Sequence, residues 1–209
     1  MRYYRLAGGY PNELRPSDGR VVRLSDGAPA LSLSTARDYI RVDAGVEDDL
    51  IETAVQAVQN LLEPPDGWLG RALTTAQFQL TLPEFANRIL LYPTLQQIDS
   101  FEYRNVDGDY VAVDESLYRV LDDRAPAEIT LERDERWPDD LDTSQPDAVR
   151  ITFTSGYGGT PGDIPSAIRQ WMLYQVSQFY DIRQPVVINA IATETPFVRH
   201  MLETYRVRI

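Results

Sequence analysis

The sequence has no cysteine, no lysine and a single histidine, His200. Without cysteine there is no disulfide framework, no thiolate metal site and no cysteine nucleophile. Without lysine there is no phosphate-loop lysine, no Schiff-base chemistry and no Ser-Lys dyad. A catalytic triad would have only His200 to recruit, and a histidine-cluster metal site is excluded. Carboxylates, hydroxyls and arginine are left to do any chemistry. No apolar run approaches the length of a membrane span, and Met1–Gly9 lacks the apolar core of a signal peptide. Basic charge is scarce as well. Against 32 aspartates and glutamates stand 20 basic residues, for a formal net charge of −12, which disfavours tight non-specific binding to DNA or to an anionic membrane.

What is present suffices for a folded body: 209 residues, 43% of them hydrophobic, enough for one domain with arms and a real core. The pattern predicts an α+β fold in which two N-terminal helices and a long helix after the last strand form a helical bundle. This bundle packs with an antiparallel β-sheet or β-sandwich insertion, and extended arms lie at both ends. Residues 1–30, rich in Gly and Pro with one β-like piece at Arg20–Leu24, form the N-terminal arm. Ser32 is placed to cap a short helix over 32–41. A second helix over 46–62 carries Leu50, Ile51, Ala54, Val55, Val58, Leu61 and Leu62 as one apolar stripe, behind an acidic first turn, Glu47-Asp48-Asp49, that suits the helix dipole.

Residues 75–154 read as β-structure. Phe78, Leu80 and Leu82 alternate, Asp107-Gly108 makes a hairpin turn, and a bulge accounts for the broken period between Ile98 and Phe101. An acidic, turn-rich stretch from Asp134 to Asp147 reads as solvated surface. The run Ile151–Thr154 then leads through a glycine corner, Gly156, Gly158 and Gly159, into a helix over 165–182. Pro165 sits in its first turn and Asp163 is placed to take up free amides. Ile164, Ile168, Trp171, Met172 and Phe179 recur there at helical spacing. The tail, 184–209, ends in a weak apolar stripe and Arg206-Val207-Arg208-Ile209, which needs a surface to dock on.

No constellation of catalytic residues emerges. The glycine corner lacks a following lysine and has prolines where a phosphate would need amides, so it reads as a turn. Asp122/Asp123 and Asp139/Asp140 are sequence neighbours whose side chains diverge, which is not the spacing of an acid/base pair. Neither a metal nor a cofactor site is expected.

Three segments in this order carry a family resemblance: Leu31-Ser-Leu-Ser-Thr-Ala-Arg-Asp-Tyr-Ile-Arg-Val-Asp43 before the acidic second helix, Pro93-Thr-Leu-Gln-Gln-Ile-Asp-Ser-Phe-Glu-Tyr103 with its Asp107-Gly108 turn, and Val149-Arg-Ile-Thr-Phe-Thr-Ser-Gly-Tyr-Gly158 followed by Ile164-Pro-Ser-Ala-Ile-Arg-Gln170. Together they resemble the head-tail connector (adaptor) family of long-tailed bacteriophages and gene transfer agents, over 31–183. Thr35 stands where that family often has an acidic residue.

The resemblance implies a virion structural protein and no enzyme. It implies a homo-oligomeric ring, a dodecamer, assembled in the host cytoplasm and seated in the neck below the portal protein. Such a ring extends the DNA channel, lets DNA pass without specific binding, and meets the next neck or tail protein. Within that picture Phe197, Arg199, Met201, Tyr205, Arg206 and Arg208 are candidates for docking on the portal, and Trp171, Tyr174 and Phe179 for the inter-subunit helix. Two other readings stand beside it: a tail terminator or stopper ring of the same particle, and a metal-dependent hydrolase built on Asp and Glu.

Overall fold

The computed structural model describes residues 13–65, 67–181 and 201–207, and its chain passes back and forth between two units. Among the described residues, 13–22 and 78–154 form the first unit, and 23–65, 67–77, 155–181 and 201–207 the second.

The first unit is β-structure. Its strands are β1 (Glu13–Leu14), β2 (Arg20–Arg23), β3 (Ala76–Leu82), β4 (Arg88–Leu91), β5 (Leu95–Arg104), β6 (Tyr110–Ala112), β7 (Tyr118–Leu121), β8 (Ala127–Leu131) and β9 (Val149–Ser155). They form a four-stranded sheet in the order β1-β4-β8-β7 and a five-stranded sheet in the order β2-β3-β9-β5-β6. The period of two in AQFQLTL buries Ala76, Phe78, Leu80 and Leu82 on one face of β3. Phe78 stacks on Phe153 of β9 with ring centroids 5.8 Å apart. The β5–β6 hairpin turns at Asp107-Gly108, where Gly108 has φ +92° and Asn105 Oδ1 accepts from the amides of Asp107 and Asp109.

Two expectations change here. The sheets are not purely antiparallel, because β1 pairs parallel with β4 (Glu13 opposite Arg88, Leu14 opposite Ile89). Of the arm expected over 1–30, residues 13–30 belong to the folded body. They supply β1 and β2, and Ala30 and Leu31 are buried. A two-residue strand is too short to show periodicity, and its partner lies far along the chain. The acidic stretch after Asp134 is likewise pinned: Trp137 stacks on Phe85 at 4.9 Å and donates its Nε1 proton to Ala86 O at 2.9 Å.

The second unit holds α1 (Leu33–Ile40), α2 (Asp48–Leu62) and α3 (Ser166–Asp181), with one shared core that includes Ile51, Val58, Leu62, Ile168, Met172 and Val176. Ser32 caps α1 by accepting from Thr35 N, and Arg41 ends it in the left-handed region at φ 61°. Arg37 of α1 reaches Asp48 at the start of α2 at 3.1 Å. Helix α3 begins at Ser166, after Pro165, whose carbonyl accepts from Ile168 and Arg169. Asp163 does not cap it. Its carboxylate closes the preceding 3-10 turn by accepting from Thr160 N at 2.9 Å and Thr160 Oγ1 at 2.8 Å, and these bonds hold its pKa below the ordinary value.

Candidate assembly surfaces

All the surfaces below lie on the second unit, and its helices hold more apolar surface than they bury on one another. On α2 the residues Ile51, Val55, Val58 and Leu62 face inward, whereas Leu50 is 42% and Leu61 54% exposed. Leu50, Ala57 and Leu61, at i, i+7 and i+11, make a second line beside the buried one. The stripe read from sequence as a single core face is therefore wider than the core it serves. Tyr39 of α1 is 39% exposed and Val46, ahead of α2, 49%.

On α3 the candidate residues separate. Trp171 is half-buried against the helical core, Tyr174 is half-buried, and Phe179 is 49% exposed. Phe179 lies in line with Ile168 and Met172 but two turns past Met172. It is surface, and Leu173 and Val176 take the buried positions expected of it. Close by, the Tyr180 hydroxyl is hydrogen-bonded to the Glu47 carboxylate.

The glycine corner joins β9 to α3. Gly156 has φ +143°, and a Cβ there would lie 2.4 Å from Thr74 O. Tyr157 N–H donates to Leu73 O at 3.2 Å, and Thr75 N–H to Gly158 O at 2.8 Å. A Cβ on Gly158 would meet the Asp163 carboxylate at 2.4 Å, while one on Gly159 would meet nothing within 4 Å. Two of the three glycines are thus sterically required. Tyr157 also takes a hydrogen bond from the buried Arg71 guanidinium. Burial raises the Tyr157 pKa, against the lowering effect of Arg71.

Of the candidate docking tail, Phe197, Arg199 and Arg208 lie outside the described residues, as does His200. Met201, Tyr205 and Arg206 lie within them, and this part of the chain packs on its own unit. Leu202 is 1% exposed in the helical core with Tyr205 packed beside it. Val207 N–H donates to Leu69 O at 2.8 Å, the Arg206 guanidinium stands 4.5 Å from the centre of the Trp68 ring, and Gly70 leaves room for Val207 O.

Beneath these surfaces is a polar cluster that pattern reading missed. Glu63, 2% exposed, accepts from Leu73 N at 2.8 Å and Thr74 N at 3.3 Å through Oε1. Its Oε2 takes Arg23 at 2.8 Å and Gln59 Nε2 at 3.0 Å. Gln59 Oε1 in turn accepts from Ala30 N at 2.8 Å. One signal was available: Gln59 and Glu63 continue the i, i+4 row of Ile51 and Val55, where a polar pair must be satisfied from inside the fold.

Among the described residues, no three His, Asp or Glu side chains gather as a metal site would require, and no helix is long and apolar enough to cross a membrane. No family model matches the chain, and no curated protein matches it. Solved structures do resemble it. A chain from the neck of an empty gene transfer agent particle, computed with C6 symmetry, aligns with a TM-score of 0.70 at 20% identity, over 90% of this chain and 96% of that one. A chain from the neck of the native particle, computed with C12 symmetry, gives 0.67 at 20% over 90% and 96%. One from the virion of the native gene transfer agent gives 0.65 at 19% over 91% and 97%. The chain shares its fold, almost end to end, with chains of gene transfer agent necks, as the motif resemblance implied.

Proposed function

We propose that this protein is a structural component of a virion neck, a head-tail connector that forms a ring below the portal, extends the DNA channel and joins the next neck or tail protein. The observation that carries the reading is the near end-to-end likeness of fold to chains of gene transfer agent necks. The surplus apolar surface supports it. A ring closed by head-to-tail contacts needs two different sticky faces per subunit, and the Leu50–Leu61 line of α2 with Phe179 of α3 supplies apolar surface on two separate helices. Net charge fits as well, since −12 on each copy makes a lumen along which DNA slides without adhering.

In this reading the tail around Met201, Tyr205 and Arg206 is the portal-docking element, together with Phe197, Arg199 and Arg208. Residues 201–207 are held on their own unit by Leu202, by Val207 N–H to Leu69 O and by Arg206 over Trp68. Docking on the portal therefore exchanges those contacts for others of the same kind. The genetic test is to delete the gene in the particle that encodes it. DNA-filled heads and unjoined tails accumulating side by side are expected, and normal tailed particles would overturn the proposal. A protein that binds tail components and ignores the portal would instead be a stopper or tail terminator.

A further inference from the structure

The β5–β6 hairpin carries Val106 at its tip, 69% exposed and the most exposed large apolar side chain among the described residues. A lone apolar residue on a surface is ordinary. This one sits on a turn held by more than the hairpin itself. Within the turn, Asn105 N–H donates to Asp109 O and Gly108 N–H to Asn105 O, each at 2.9 Å, while Asn105 Oδ1 takes the amides of Asp107 and Asp109.

A second set of contacts comes from the acidic stretch. Residues 140–142 run alongside the hairpin: Val106 N–H donates to Asp140 O at 2.8 Å, Asn105 bridges to Leu141, and Asp142 N–H donates to Arg104 O at 2.9 Å. At the base, Tyr110 is clamped. Its hydroxyl is shared between the carbonyl and the carboxylate of Asp147, both at 3.0 Å, and the Arg150 guanidinium lies 3.8 Å from its ring centre. These bonds, from two directions, fix the backbone over 105–110, so little conformational entropy is left to lose when the tip meets a partner.

We propose that this tip, Val106 flanked by Asp107 and Asp109, is a preformed plug that seats in an apolar socket with a basic rim on the next neck or tail component. The inference rests on the connector reading and gives one of the ring's two neighbours a chemistry. On that reading the portal takes the tail around Tyr205 and Arg206, which leaves the tip for the other neighbour. Charge selects the partner. Asp107 and Asp109 are both exposed, and so is Asp139 beside the bracing stretch. A second copy offers 32 acidic residues against 20 basic ones and is the wrong surface for an acidic tip. An apolar anchor inside a charged margin is the usual layout of an interface centre and its rim.

The test uses the full chain bound to portal rings, and tails purified from the same particle. Val106→Asp is expected to leave the urea midpoint within error and the coaxial ring on the portal intact. It should weaken tail binding at least about tenfold, whereas Val106→Leu keeps it. Asp107→Asn with Asp109→Asn should weaken binding several-fold at low salt and flatten its salt dependence. Tyr110→Phe should speed amide exchange over residues 105–109 several-fold and weaken tail binding with the valine still in place. Tail binding unchanged by Val106→Asp, or a salt dependence that the two asparagines leave unaltered, would overturn the plug while the ring stands. Portal rings left bare by the unsubstituted chain would overturn the connector reading, and the plug with it.

Discussion

Glu63 is a single side chain on which four donors converge, two of them backbone amides of the segment leading to β3. Replacing it by alanine removes the Arg23 ion pair and leaves two buried amides without their acceptor, so Glu63→Ala should lower stability by about 3–5 kcal/mol, read from the urea midpoint of the isolated protein. Its place in the i, i+4 row of Ile51 and Val55 was a faint signal in the sequence, and its partners, up to 40 positions away, were not legible there. The corner was legible, since clustered glycines before a proline mark a turn whatever surrounds them. What sequence could not show is which glycine matters. Gly156→Ala, with φ +143° and Thr74 O in its way, should cost about 1–3 kcal/mol, and Gly159→Ala should leave the urea midpoint within error.

A titration prediction belongs to Glu128, buried in β8 and bidentate with Arg88 at 2.7 and 2.6 Å. The Arg88 hydrogen bonds hold its pKa below the ordinary 4.5, against the opposing effect of burial. A carboxylate with a lowered folded-state pKa contributes stability that is fully present above the unfolded value and is lost as pH falls through the folded one. The pair should therefore hold at neutral pH and fail only below about 4.5, in acid. Glu128→Gln should be less stable at pH 7 and show a flatter loss on acidification, measured by denaturant titrations across pH 2–7.

At the scale of elements, α2 shows what periodicity conveys and where it stops. The i, i+3, i+4 spacing identifies the helix and its inward residues, but it does not distinguish an apolar line that meets the core from one left exposed. Leu50 and Leu61 belong to the second line. Leu50→Glu with Leu61→Glu should change monomer stability by no more than about 0.5 kcal/mol while weakening self-association at least tenfold, as measured by sedimentation. Strands were legible where a buried face alternates, as in β3 and β9, and where turn chemistry is strong, as at Asp107-Gly108. They were hidden where pairing alone defines them. Glu13–Leu14 is a strand because Arg88–Ile89 lies beside it, and Trp137 anchors an acidic loop because Phe85 offers a ring to stack on. The start of α3 was displaced for a similar reason: Asp163 had a nearer turn to close.

For the whole molecule, order and spacing of weak motifs carried more than any single residue. Each segment of the resemblance is structural, a cap, a hairpin strand or a corner, and such features recur widely; their succession along one chain pointed to the neck fold. Composition contributed exclusions and a charge of −12 that disfavours non-specific DNA binding. It said nothing of the two units, because the chain moves between them at 22–23, 77–78 and 154–155, with no change in composition to mark the crossings.

The most direct test of the connector role is negative-stain imaging of the purified protein mixed with the portal ring of the same particle at moderate salt. The account predicts an additional coaxial ring on the portal, absent with Leu50→Glu and Leu61→Glu. Portal rings that remain bare, with this protein monomeric beside them, would contradict it.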